Sequence, residues 1–140
     1  SPLHRPRQTM QYIVDGFGLD WSQITVDERL KELNFGDLEG STWPELNARG
    51  LDPENDPEAY HAFRPQGGES YADATARVRD WLGSLTGPTI AVAHGGISRI
   101  VRGLVLDLPV TEIPGLHNPQ WKFYRLKDGE IEWFKTSDQQ

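Results

Sequence analysis

Cysteine is absent from the 140 residues, which excludes a disulfide framework, a thiolate nucleophile and every zinc pattern built on paired cysteines. Positive charge is also scarce: 14 Lys and Arg stand against 21 Asp and Glu, a formal charge of −7. That balance disfavours nucleic acid and anionic membranes as partners, so an anionic small molecule has to be captured by a few local groups. No apolar run approaches the roughly 20 residues of a membrane span, and the N-terminus has no apolar signal-peptide core. A soluble, cytoplasmic protein is the expectation. Internal repeats and low-complexity tracts are missing, and the length suits one domain with one core.

What is present falls into short periodic stretches. In "SPLHRPRQTMQYIVDGFG", Pro6 suits a first helical turn, and Thr9, Met10, Ile13 and Phe17 recur at helical spacing until Gly16 and Gly18 stop the run. Arg5 and Arg7 sit at the entrance of that helix. "ITVDERLKELNFGDLEGSTWPEL" passes from β-branched residues to acids, with Gly36 and Gly40 punctuating a loop beside Glu32 and Glu39. The next stretch, rich in Pro, Gly, Asn, Asp and Glu, is a surface connection with one helical turn over Glu58 to Phe63. Tyr71, Ala74, Val78, Trp81, Leu82 and Leu85 step by three and four, predicting a helix from Ser70 to Leu85 that ends at Gly87-Pro88; Glu69 or Ser70 is its cap. The β-rich run Thr89 to Ala93 predicts a strand, and Ile97, Ile100, Val101, Leu104, Val105 and Leu108 a following helix. "WKFYRLKDGEIEWF" predicts an antiparallel hairpin turning at Asp128-Gly129.

His94 therefore falls between a strand and a helix, the place where open α/β sheets bind ligands. Gly95 and Gly96 let an anion approach the backbone, and a helix N-terminus offers free N–H groups and positive dipole. A histidine that merely caps a strand end, with glycines that merely shape the turn, accounts for the same residues equally well. The five tryptophans are core and rim residues in this reading, and His61 and His117 are assigned no role.

Four segments taken in order are more specific. "SPLHRPRQT", "LKELNFGDLEG", "PQGGES" and "AVAHGG" resemble the SPLxRxxQT, LxExxFGxWEG, PxGGES and VxHGG segments of the histidine phosphatase superfamily, the phosphoglycerate mutase-like proteins. The resemblance runs over nearly the whole chain, 1–140, as a single domain. It implies an α/β fold, the phosphoglycerate mutase-like three-layer α/β/α sandwich, here N-terminally truncated and closed by a C-terminal antiparallel hairpin. Thr89 to Ala93 is expected near the centre of a mainly parallel sheet. The site residues implied are Arg5 as a phosphate ligand, Glu32 as general acid and base, and His94 as the second active-site histidine on the phosphoryl group, with Gly95 beside it. Glu39, the rival acid, falls on a loop-shaping position, and Asn118 in "LHNPQW" is given no role. A guanidinium forks onto phosphate oxygens, and a carboxyl group can protonate a leaving alkoxide. No metal ligands and no cofactor are expected.

The family's Arg-His-Gly strand end, whose histidine becomes phosphorylated, does not occur in this sequence. A fragment of a longer enzyme is the favoured explanation, a shortened non-catalytic descendant the other. The expected function is a phosphomonoester hydrolase working through a phosphohistidine, its nucleophile in the absent N-terminal part. A phosphoglycerate mutase-type phosphotransferase and a non-catalytic phosphate-binding or self-associating remnant are the alternatives. The partner expected is phosphate or a small phosphorylated metabolite. A missing first strand also leads one to expect a homodimer, or association with the chain's own N-terminal fragment.

Overall fold

A computed structural model of the chain describes residues 1–136 apart from Pro53, and the backbone but not the side chain of Trp43. Helices α1 (His4–Phe17), α2 (Trp43–Ala48), α3 (Pro57–Ala62), α4 (Tyr71–Gly83) and α5 (Gly95–Val105) precede strands β1 (Lys122–Lys127) and β2 (Glu130–Lys135). Short 3-10 turns lie at Trp21–Gln23, Glu28–Leu30 and Gly36–Leu38. Among the described residues no helix is long and apolar enough to cross a membrane.

The core is where the three- and four-residue steps of α4 and α5 meet. Ala74 and Val78 on α4, and Ile97 and Ile100 on α5, are completely excluded from solvent, with Trp81, Leu30, Leu33 and Ile113 closing the cluster. Gly103 makes room for Ile113, since a Cβ there would lie 2.4 Å from Ile113 Cγ1. α4 starts as expected at Ser70, whose Oγ accepts from Asp73 N at 3.1 Å while the Asp73 carboxylate accepts from Ser70 N at 2.9 Å. Such a cap contributes on the order of 1 kcal/mol. α1 ends where Gly18 adopts φ 63°, with Leu19 N donating to Val14 O at 2.9 Å. α2 was hidden in what looked like loop; Glu45 accepts from Thr42 N at 2.7 Å and Pro44 fits the first turn.

The hairpin forms in the expected place. Lys127 pairs with Glu130 around Asp128 (φ 53°) and Gly129 (φ 76°), and Phe123 stacks on Phe134 at 5.2 Å. The strand expected at Thr89 to Ala93 does not form a ladder: the sheet among the described residues is β1 with β2 alone. Side-chain propensity cannot make a strand without a neighbour to bond, and no described strand lies beside this run. Thr89, Ile90 and Ala91 are exposed, Ile90 to 62%. The mainly parallel sheet is therefore corrected to a two-stranded antiparallel one for the described residues.

Candidate active site

Two of the motif loops are stitched together by backbone. Asp37 N donates to Gln66 O at 3.0 Å and Glu69 N to Asn34 O at 2.9 Å. Asn34 adds a bond from its amide to Gly67 O and accepts one from Gly36 N. The contact is so close that a Cβ on Gly36 would fall 2.2 Å from Gln66 O, and one on Gly68 2.5 Å from Asn34 O. This is the physical reason for glycine in both motifs. Glu69, instead of capping α4, takes a two-point ion pair from Arg77 (2.6 and 2.9 Å) and accepts from Asn34 N at 3.1 Å. Arg77 in turn donates to Arg29 O and, at 3.5 Å, to Glu32 O, so α4 braces the segment that carries Glu32.

Glu32 is delivered to the start of α5. Its Oε1 accepts from Leu33 N at 3.1 Å and its Oε2 from Gly96 N at 3.4 Å. An internal carboxylate thus stands at a helix N-terminus, where the dipole favours negative charge. A Cβ on Gly96 would meet Leu33 Cδ1 at 2.2 Å and Glu32 Oε1 at 2.8 Å, so glycine is what lets the carboxylate come this close. His94 is the N-cap residue of α5, in extended conformation, and its Nε2 lies 2.9 Å from Ser1 Oγ. Burial holds the imidazole below the ordinary histidine value; the Glu32 carboxylate opposes this, and Arg5, the terminal ammonium and Arg77 add to it. That direction favours the uncharged imidazole at neutral pH. Arg5, on the exposed first turn of α1, is felt by His94 but makes no side-chain hydrogen bond to a described residue. Glu39 is a loop-shaping residue as expected: its carboxylate accepts from Phe35 N at 3.0 Å.

Asn118, which received no role from the sequence, is drawn to the same place. A Cβ on Gly95 would lie 3.2 Å from Asn118 Nδ2 and 4.0 Å from Glu32 Oε2. The Asn118 oxygen accepts from Ser98 Oγ at 3.1 Å and, more weakly, from Arg102 at 3.5 Å. Arg102 is only 4% exposed and carries no carboxylate partner among the described residues; its guanidinium lies over the Tyr124 and Trp133 rings, which pack edge-on against each other, and donates to His117 O at 2.9 Å. The sequence signal was the helical step from Ser98 to Arg102, both facing the hairpin, but nothing local links that step to residue 118.

Other assignments of the sequence hold their bland reading. Trp81 is core, Trp21 packs under Arg7, Trp121 is exposed beside Lys122, and the side chain of Trp43 lies outside the described residues. His117 is exposed, whereas His61 buries Nε2 with no partner among the described residues. A surface recess of about 410 Å³ formed by Glu39, Gly40, Ser41, Glu45, Ala48 and Arg49 shares no residue with the His94 group.

A family model described as histidine phosphatase superfamily (branch 1) matches residues 1–137. A glucosyl-3-phosphoglycerate phosphatase of Mycobacterium tuberculosis is 32% identical over 143 aligned residues, covering 86% of this chain and 60% of that protein. A 2,3-bisphosphoglycerate-dependent phosphoglycerate mutase of Methylocella silvestris is 31% identical, over 94% of this chain and 69% of its own. The chain spans about 60% of the length of the first of these. Among solved structures, a mycobacterial glucosyl-3-phosphoglycerate phosphatase with inorganic phosphate superposes with a TM-score of 0.69 at 26% identity, over 98% of this chain and 73% of that one. The α-ribazole phosphatase of Shigella flexneri matches in fold, with a TM-score of 0.69 at 16% identity over 96% of this chain and 69% of its own.

Proposed function

The chain belongs to the histidine phosphatase superfamily, and from that membership we propose that it is part of a phosphomonoester hydrolase acting on a small phosphorylated metabolite. The observation that carries the reading is the Glu32 carboxylate at the N-terminus of α5, accepting from Gly96 N in the helix whose N-cap residue is His94.

In this proposal Arg5 and His94 hold the phosphoryl oxygens and the backbone at Gly95 receives them, spreading the charge that develops in transfer. A histidine outside these 140 residues attacks phosphorus: an N–P bond forms as the ester O–P bond breaks, and Glu32, which takes up a proton as the ester dianion arrives beside it, gives that proton to the leaving alkoxide. Water then attacks the phosphohistidine, the N–P bond breaks, Glu32 takes the water's proton and phosphate departs. In this proposal His94 is the charge-stabilising histidine that the motif resemblance implies, and Ser1 Oγ, 2.9 Å from its Nε2, marks where a phosphoryl oxygen would bond. An approaching phosphate dianion favours protonation of His94, turning it into a charged donor when the ligand arrives.

Mutase relatives of similar identity support phosphoryl transfer to a second acceptor as the other reading. The moderate connection between Glu39 and Gln66, whose described residues form only the one- to two-turn helices α2 and α3, favours hydrolysis, since it supplies little to enclose an acceptor. p-Nitrophenyl phosphate tests the proposal. The 140-residue chain should hydrolyse it no faster than buffer, and a version extended through an Arg-His-Gly segment should turn over and lose at least about a hundredfold in rate on Glu32→Gln or His94→Ala. Hydrolysis by the short chain that disappears with His94→Ala makes His94 the nucleophile and overturns the assignment of roles. An extended chain that binds phosphate but never turns over leaves the binding remnant as the better description.

A further inference from the structure

We propose that Arg77 is a positioning residue for Glu32, setting where the Glu32 carboxylate stands against the start of α5, and that Glu69 is the anchor through which it does so. The inference rests on the reading of Glu32 as the proton donor and deepens it. Glu32 lies in irregular chain, residues 31–35, between the 3-10 turns at Glu28–Leu30 and Gly36–Leu38. Neither a helix nor a strand ladder holds the backbone there, so its peptide groups need side chains as partners.

The start of α4 supplies them. The Arg77 guanidinium donates to Arg29 O ahead of the segment and reaches Glu32 O at 3.5 Å. Its Nε and Nη2 hold the two Glu69 oxygens at 2.9 and 2.6 Å, in a pair whose side chains are each only 22% exposed. Glu69 passes the hold along, because its carboxylate accepts from Asn34 N at 3.1 Å while its own N–H donates to Asn34 O at 2.9 Å. Residues 29 and 32 are thus gripped by Arg77 and residue 34 by Glu69. The grip has a fixed base, since Ala74 and Val78 beside Arg77 on α4 are completely excluded from solvent. A planar fork with donors along two edges can serve a carboxylate and two carbonyls at once, whereas an ammonium donates from one point. The Glu32 carboxylate has weak bonds of its own, to the neighbouring Leu33 N–H and, at 3.4 Å, to Gly96 N. Its place at α5 therefore depends on the backbone that Arg77 fixes.

His94 reports the position of that carboxylate. Burial lowers its midpoint most, Glu32 opposes this, and Arg5, the Ser1 ammonium and Arg77 add to it. Arg77→Lys is the discriminating substitution, because it keeps the positive charge and removes the fork. Followed by NMR in the 140-residue chain, the His94 midpoint should fall by about 0.3 of a pH unit or more in Arg77→Lys, as the carboxylate retreats from α5. In a Glu32→Gln background the same substitution should leave the midpoint where Glu32→Gln put it, which a merely structural arginine, or one acting on His94 directly, would not require. In the chain extended through an Arg-His-Gly segment, Arg77→Lys should lower kcat about tenfold or more with KM held within about twofold. An unmoved His94 midpoint in Arg77→Lys, where Glu32→Gln does move it, overturns the inference and leaves the site standing. An equal fall with and without the Glu32 carboxylate overturns it as well. If Arg77→Lys fails to fold, Glu69→Gln, which leaves Arg77 with half its anchor, takes its place, and an unmoved midpoint there has the same meaning. A His94 midpoint that ignores Glu32→Gln overturns both the inference and the pairing of Glu32 with His94.

Discussion

At the scale of single residues, the site is organised by where a methyl group does not fit. Gly96 has an ordinary backbone, so its glycine is required by Leu33 and Glu32 and not by conformation. Gly96→Ala should force Leu33 and the Glu32 carboxylate back from α5, destabilising the chain by about 1–3 kcal/mol as overpacking does. Phosphate binding should weaken with it; urea denaturation and titration with phosphate measure the two. A variant as stable as the unsubstituted chain would show that the loop gives way freely. Glu32 acts on His94 through charge as well as position, because its carboxylate is the group that opposes the downward pull of burial on that imidazole. Glu32→Gln keeps the shape and removes the charge, so the His94 titration midpoint followed by NMR should move further down. A midpoint that stays put or rises contradicts the proximity of the two side chains.

At the scale of elements, the Gly36 loop and the Gly67-Gly68 loop act as one unit, joined by the Asp37–Gln66 and Glu69–Asn34 backbone bonds and braced by Arg77. Gly36→Ala combines a φ of 53° with a Cβ 2.2 Å from a backbone oxygen that cannot step aside. Its cost should be about 3 kcal/mol or more, read as a lowered urea midpoint; a loss below about 0.5 kcal/mol, the range of an innocuous surface change, would mean the loops separate readily. The helices around this unit were legible because their buried residues recur every three or four positions: Tyr71, Ala74, Val78 and Trp81 on α4 are all buried. The hairpin was legible from its alternating residues and Asp128-Gly129. What escaped is long-range or conditional. The 34–37 to 66–69 contact joins segments some thirty residues apart with no shared periodicity, α2 rests on one Thr-Glu cap within a polar stretch, and Thr89 to Ala93 has strand composition without a described partner. Glu32, His94 and their glycines could be picked out by motif, whereas "LHNPQW" was too loose a match to give Asn118 a role, and its partner Arg102 belongs to a helix that the sequence reading treated only as apolar face.

At the scale of the whole molecule, the −7 charge and two partly buried histidines make stability depend on pH in two separate windows. Asp27, held low by its bonds from Arg29, and Asp73, held low by the Ser70 N–H and hydroxyl and by Arg64, prefer the charged form in the native state. Their contribution is complete above the ordinary carboxylate value near pH 4 and is lost as the pH falls through their lower native values. His61 and His94 are held below the ordinary histidine value of about 6.5, chiefly by burial, and so prefer the neutral form. Once the pH drops below that value, the unfolded chain takes up protons that the native chain refuses, and stability falls. Protonation also reduces the magnitude of the net charge and its self-repulsion, which acts the other way. Comparison with His61→Phe separates the two effects, because the buried, unpartnered Nε2 of His61 is replaced by carbon while the rest of the charge distribution stays. The urea midpoint should decline from pH 7.5 to 5.5 in the unsubstituted chain and less so in His61→Phe, with both declining together below pH 4. Parallel curves for the two proteins over the upper window would show that His61 takes up its proton as easily folded as unfolded, and would leave His94 as the source of the upper step.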